Sequence, residues 1–126
     1  PELRVELEQA VEMTAGNTGL TLGIAFDYGG RAEIVQAAKR MVEETVSPDE
    51  VNEQKFSEFL YTSDMPDVDL LIRTGGDFRI SNFLLWQTAY SEFYSSETWW
   101  PDFFGERIDE AFDAFNERKR RFGKRV

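Results

Sequence analysis

The chain has 126 residues, 41% of them hydrophobic, with 11 Phe, 4 Tyr and 3 Trp and a formal net charge of −10. That length and composition fit one globular unit with a modest core and little interior left for a large ligand cavity. Cys and His are both absent, which excludes disulfides, thiolate nucleophiles, Cys/His zinc sites and imidazole acid–base chemistry, leaving carboxylates, hydroxyls, Lys and Arg to do any chemistry.

Residues 2–15 place Leu3, Leu7, Ala10, Val11 and Thr14 at helical spacing and stop at Gly16-Asn17, which predicts an amphipathic helix. Residues 20–26 form a short apolar run between Gly19 and Asp27-Tyr28-Gly29-Gly30, the pattern of a strand buried on both faces that ends in a glycine-rich turn. Helical spacing returns over 31–46 through Ile34, Ala38, Met41, Val42 and Thr45. Ser47-Pro48-Asp49-Glu50 combines an N-cap Ser, a Pro in the first turn and a Glu three residues after the cap, so a short helical pair is expected up to residue 60.

A second buried strand is predicted over 69–73, running directly into Thr74-Gly75-Gly76, and Ser81 or Asn82 can cap a helix over 81–90. Residues 92–95 are expected as a third strand. Pro101-Asp102 opens a last helix whose buried stripe is Phe104, Ile108, Ala111, Phe112 and Phe115. Alternation of helices and strands implies an α/β fold, three-layered, with a central parallel sheet and helices on both sides. Three strands make a thin sheet, so further strands are expected upstream of Pro1.

Charge is unevenly placed, because six of the 14 basic residues lie in 118–126 with no acid among them. The acidic body should repel nucleic acid. The basic tail reads either as a solvated helix end opposing the helix dipole or as a contact for an anion or an acidic membrane surface. The longest apolar stretches, such as 83–86, are far short of the roughly 20 residues a membrane span needs, and the start has no leader pattern, so a soluble cytoplasmic protein is expected.

Ligands of open parallel sheets gather beyond the carboxyl ends of strands, and both Gly-Gly pairs are predicted there. Around Gly75-Gly76, amide N–H groups, a helix N-terminus, the Ser81 hydroxyl and the guanidiniums of Arg73 and Arg79 together suit a diphosphate. The same spacing also allows Arg73 and Arg79 simply to pair with Asp69 or Asp77 while the glycines turn the chain. Glu92, beside a predicted strand, is a candidate Mg²⁺ ligand, and Asp77 is a second. Aromatic residues over 83–104 read as core or subunit interface, whereas Leu20, Leu22, Ile24 and Phe26 could line a hydrocarbon tunnel if other chain supplied its far wall.

The run 69–94, with Arg73-Thr-Gly-Gly-Asp-Phe-Arg79-Ile-Ser81-Asn-Phe-Leu-Leu-Trp86 at its centre and Ser91-Glu92-Phe-Tyr at its end, resembles the signature of cis-prenyltransferases of the undecaprenyl diphosphate synthase kind. Trp100-Pro101-Asp102-Phe103 continues the likeness, Tyr28-Gly29-Gly30-Arg31 resembles that family's Asn-Tyr-Gly-Gly-Arg turn, and Arg121-Phe122-Gly123 resembles its C-terminal Arg-x-Gly element. The resemblance implies that residues 1–126 are the C-terminal portion of a single domain. It implies that Arg73, Arg79 and Ser81 bind the diphosphate of isopentenyl diphosphate, that Glu92 helps place Mg²⁺, often across a homodimer interface, and that Arg121 and Gly123 reach a neighbouring subunit's site. An allylic diphosphate of the farnesyl type would be the second substrate, and the lipid product would bring peripheral contact with a membrane.

Three departures stand out. The family's Asp-Gly-Asn-Gly-Arg-Trp motif, whose Asp supports Mg²⁺ and the allylic diphosphate, has no counterpart in these 126 residues. Asp77-Phe78 stands where members frequently have Glu-His, and Asp27 replaces the usual Asn. The missing motif leaves two expectations: half of an active centre, completed by more chain, or a non-catalytic accessory subunit that relies on another chain for the catalytic Asp.

Overall fold

A computed structural model describes residues 2–118. Its elements are helices α1 (Glu2–Thr14), α2 (Gly30–Glu43), α3 (Glu53–Ser57) and α4 (Glu106–Glu117) and strands β1 (Leu70–Arg73) and β2 (Glu92–Ser95). β1 and β2 pair in parallel with the register Leu70↔Glu92, Leu71↔Phe93, Ile72↔Tyr94 and Arg73↔Ser95. Helices and a parallel sheet therefore give the expected α/β fold in part, with two strands among the described residues.

The core forms where α2 meets the end of α3. Glu33, Ala37 and Met41, four residues apart, line one face of α2 and are buried. Phe59 and Leu60 close over Ala37 and Met41, and Val46, Phe56 and Trp86 pack around them. Burying each large apolar side chain stabilises the fold by about 2 kcal/mol. Trp86 meets the ring of Phe56 at a centroid distance of 4.5 Å and donates its Nε1–H to Ser57 Oγ at 3.0 Å, which satisfies the indole's polar end.

Glu33 is a carboxylate only 1% exposed. Such a charge survives burial only when it is densely hydrogen-bonded. Its oxygens accept from the Tyr28 hydroxyl, from the Tyr61 backbone N–H at 2.8 Å and from Gln87 Nε2 at 3.2 Å, while Gln87 Nε2 also donates to Thr62 Oγ1 at 2.9 Å. One side chain thus ties α2 to the turn just before it and to two segments distant in sequence, at Tyr61 and Gln87. Burial, then the hydrogen bond and negative charge of Glu33, push the Tyr28 phenol well above its ordinary range.

Two predicted elements differ from the structure. Residues 20–25 have no regular structure and residue 26 lies in a bend; the segment joins no sheet among the described residues, and Leu20, Leu22, Ile24 and Phe26 are exposed. Residues 81–90 form successive turns instead of a helix, since Ser81, Asn82 and Leu84 have φ of 52°, 64° and 44°, on the left-handed side that interrupts an α-helix. Asn82 offsets the strain as a clamp. Its Oδ1 accepts the Arg31 N–H at 2.9 Å and its carbonyl accepts the Gly30 N–H at 2.7 Å. A Cβ at Gly30 would lie 2.9 Å from Leu85 Cγ and 3.1 Å from Leu85 N, so Gly30 is there for close packing against this turn segment.

At the other elements the expectation is nearer. Glu50 accepts the Ser47 N–H at 3.1 Å, half of the reciprocal cap read from the sequence, although the turn it starts is the single 3₁₀ turn Pro48–Glu50. α4 begins at Glu106 after a separate turn at Trp100–Asp102 and packs against β2. Of its predicted stripe Ala111 is buried, Ile108 and Phe115 are half-buried, and Phe104 and Phe112 are exposed. The apolar residues of α1 are exposed as well. No helix among the described residues is long and apolar enough to cross a membrane.

Replacing Glu33 by Ala strips three donors of their acceptor and should lower unfolding free energy by about 3 kcal/mol in urea titrations, with Glu33→Gln costing less because it keeps an acceptor oxygen. A loss for Glu33→Ala no larger than that of an exposed site would contradict the clamp. Because the folded state raises the Tyr28 pKa, the stability it contributes is complete below about pH 10, the ordinary phenol value, and is lost as pH climbs above that. Urea midpoints followed into alkali should therefore fall more steeply for the unaltered chain than for Tyr28→Phe; parallel curves would remove the linkage.

Candidate functional site

Alternation along paired strands decides which side chains share a face. Leu71 and Arg73 of β1 lie on the same face as Phe93 and Ser95 of β2, and Leu70, Ile72, Glu92 and Tyr94 take the other. The turn that follows Arg73 folds back onto the first of these faces. Phe78 packs edge-on against Phe93 at 4.6 Å, and Ser95 Oγ donates to the Asp77 carbonyl at 3.0 Å. Gly75 reaches φ of 86° directly beneath Trp99, whose ring atoms would stand 3.4 Å from any Cβ placed there.

Arg73 and Arg79 converge on one atom of this turn. Asp77 Oδ2 accepts from Arg79 Nη2 at 2.6 Å and from Arg73 Nη2 at 3.2 Å. The pairing foreseen with Asp69 or Asp77 is thus made with Asp77, and it leaves Asp77 among positive charges, a poor setting for a cation. The side chains of Arg73, Asp77 and Arg79 are 34%, 40% and 65% exposed, so each pair contributes no more than about 1 kcal/mol.

Other parts of the expected anion cradle are arranged differently. The Gly75 and Gly76 N–H groups donate to the Thr98 carbonyl at 3.0 Å and the Ser96 carbonyl at 2.9 Å, so they brace the turn and do not face an anion. No helix starts at Ser81; it is exposed, has left-handed backbone, and among the described residues its side chain makes no hydrogen bond to the arginines. What remains of the cradle is two guanidiniums held together by a carboxylate.

Glu92 lies elsewhere. It stands at the start of β2 opposite Leu70, three residues from the level of Arg73, or about 10 Å at the strand rise, and on the opposite face. Arg118 Nη1 donates to Glu92 Oε2 at 3.1 Å and to the Phe93 carbonyl at 2.8 Å. Among the described residues no group of three His, Cys, Asp or Glu side chains could hold a metal ion, and Glu92 brings a single carboxylate to this end of the sheet. Arg121 and Gly123 lie outside the described residues.

Ser95, Trp99 and Asn82 shape the two glycine turns, whereas the sequence suggested Asn82 as a helix cap, Trp99 as a core or interface aromatic and Ser95 as no more than a strand residue. Their signal was faint: a Ser following aromatic residues in a strand, a Trp beside another Trp, and an Asn suited equally to capping. A groove of about 460 Å³ lies between α2, α3 and the 81–90 turns, lined by residues such as Ile34, Gln54, Ser57 and Trp86, and neither arginine of the pair borders it.

Residues 1–123 match the undecaprenyl diphosphate synthase (Prenyltransf) family model. An isoprenyl transferase of Neisseria meningitidis serogroup A is 52% identical over 118 residues, covering 94% of this chain and 47% of the relative. One from Fusobacterium nucleatum is 50% identical over 122 residues, covering 97% and 52% respectively. The crystal structure of lavandulyl diphosphate synthase from Lavandula x intermedia, in complex with dimethylallyl diphosphate, superposes with a TM-score of 0.92 at 37% identity over 98% of this chain and 56% of that one. A probable undecaprenyl diphosphate synthase from Campylobacter jejuni gives 0.86 at 36% identity, covering 98% and 57%. The chain spans about half the length of the curated relatives it matches. Identity near one half along almost the whole chain, joined to the same partial α/β fold, means that this chain belongs to the undecaprenyl diphosphate synthase family of prenyltransferases.

Proposed function

We propose that this chain is the C-terminal portion of a cis-prenyltransferase domain and carries its isopentenyl diphosphate half-site. The observation that carries this reading is the convergence of Arg73 and Arg79 on one carboxylate oxygen at the carboxyl end of the parallel strands. Two guanidiniums so placed can grip adjacent oxygens of a diphosphate through charge-assisted hydrogen bonds, with the Ser81 hydroxyl as a neutral donor once the exposed turn closes on the ligand.

In the proposed reaction the C1–O bond of an allylic diphosphate of the farnesyl type breaks and diphosphate leaves with the electron pair. The double bond of isopentenyl diphosphate forms the new bond to C1, and loss of a proton from the isopentenyl unit creates a cis double bond. Repetition gives an undecaprenyl-like diphosphate, a lipid carrier for cell-wall glycans. The work of Arg73 and Arg79 is to bind and align one partner, so that attack occurs within a fixed pair of substrates. Mg²⁺, when bound, supplies charge neutralisation at phosphate oxygens, and Glu92 would hold it. Because Glu92 and Arg118 sit at the far end and on the far face of the sheet from Arg73, we assign them to the site of a second protomer in a homodimer. The protein is cytoplasmic in this proposal and meets the membrane through its lipid product.

A second reading, a non-catalytic accessory subunit that relies on another chain for the catalytic Asp, makes the same prediction for these residues. Both readings require that the 126-residue chain alone transfer no prenyl groups from labelled isopentenyl diphosphate to farnesyl diphosphate. Adding a chain that bears the motif should restore transfer under either; turnover by this chain alone would overturn both. Arg79→Ala should weaken isopentenyl diphosphate binding by about tenfold or more in calorimetry, the scale of a lost charge-assisted contact to phosphate. Unchanged affinity would remove Arg79 from the site.

A further inference from the structure

Building on the proposed role of Arg73 and Arg79, we infer that Asp77 is an internal competitor for the anion site: its carboxylate occupies the place of a phosphate oxygen and must swing away when the ligand binds. Three features of the turn support it. A single oxygen, Oδ2, accepts from both guanidiniums, so their shared focus is already filled by an anionic atom of the chain itself. No ligand oxygen can take that focus while Oδ2 keeps it.

The competitor is also weakly held. All three side chains are at least one-third exposed, where water screens each ion pair and a ligand with several charged oxygens can outbid one carboxylate. The backbone beneath it, by contrast, is fixed. Ser95 Oγ holds the Asp77 carbonyl, the Gly76 N–H holds the Ser96 carbonyl and Phe78 is seated on Phe93. Departure of the carboxylate therefore needs only a rotation about the side-chain bonds of Asp77, from one staggered well to another, with the turn left in place. Those backbone and ring contacts also mean that the ion pair is not what shapes the turn. Its remaining effect is on affinity.

The test uses the 126-residue chain with inorganic diphosphate as the probe, titrated calorimetrically into the unaltered chain and into Asp77→Asn, Asp77→Glu, Arg73→Ala and Arg79→Ala. Asp77→Asn keeps the shape and removes the charge, so diphosphate should bind about tenfold more tightly, while Asp77→Glu should stay close to the unaltered chain. Thermal melts of the two Asp77 variants should match that of the unaltered chain. If either arginine variant loses binding but Asp77→Asn binds no more tightly, the competitor role is overturned and the arginine site stands. Tightening in Asp77→Glu equal to that in Asp77→Asn would also overturn it, since charge would not be the cause. If both arginine variants bind diphosphate as the unaltered chain does, the arginine site itself falls and the inference falls with it.

Discussion

The parallel pairing of β1 with β2 decides what can act together in this chain. Parallel strands end at the same edge, so Arg73 and Ser95 come level and the loops that follow them are brought side by side. The Gly75 and Gly76 amides then find the carbonyls of Thr98 and Ser96 within reach, and Asp77 is carried back over Ser95. A register shifted by one residue would turn Ser95 and Phe93 to the opposite face and leave the turn without its two anchors. Convergence of the two arginines is thus a consequence of strand register as much as of the residues themselves.

A second constraint is set by one buried acid of α2. Glu33 gathers the Tyr28 hydroxyl, the Tyr61 amide and Gln87 about one buried carboxylate, and Gln87 belongs to the same run of turns as Asn82. That run is held at one end by the Asn82 clamp on Gly30 and Arg31, and near the other by the Val68 N–H donating to the Gln87 carbonyl at 3.1 Å. The Gly29-Gly30 turn, which the sequence suggested as a ligand loop, is packed against residues 82–85 instead. Of the two glycine pairs, one faces the interior of the fold and one frames the arginines.

Much of this was legible from residue patterns, for identifiable reasons. β1 was legible because an apolar run ending in Arg-Thr-Gly-Gly marks both a strand and its turn, and α2 because Met41 and its neighbours repeat at helical spacing. The Arg73–Arg79–Asp77 focus was half legible: spacing allowed either an anion site or an internal pair, and in the folded chain Asp77 takes both arginines. Residues 20–26 were misjudged because apolar composition fixes what a segment tends toward but not whether a strand is present to pair with it. Residues 81–90 were misjudged because Ser and Asn serve as helix caps and as left-handed turn residues alike, and the choice was made by a tertiary contact, Asn82 to Gly30, 52 residues away.

The same register that joins the arginines separates Glu92 from them. A carboxylate three positions back along the strand and on the opposite face cannot share a phosphate with Arg73 of its own chain without rebuilding the sheet. Nor is it idle, since Arg118 reaches across from the end of α4 to hold both its carboxylate and the adjoining Phe93 carbonyl. Here a cation and an acid, 42% and 26% exposed, meet at the point where six basic residues begin, and under the proposed function this pair is what the chain offers to a second one. In the proposed homodimer each chain would give its arginine pair to one site and its Glu92 end to the other, so that neither chain needs the two ends of its own sheet to meet.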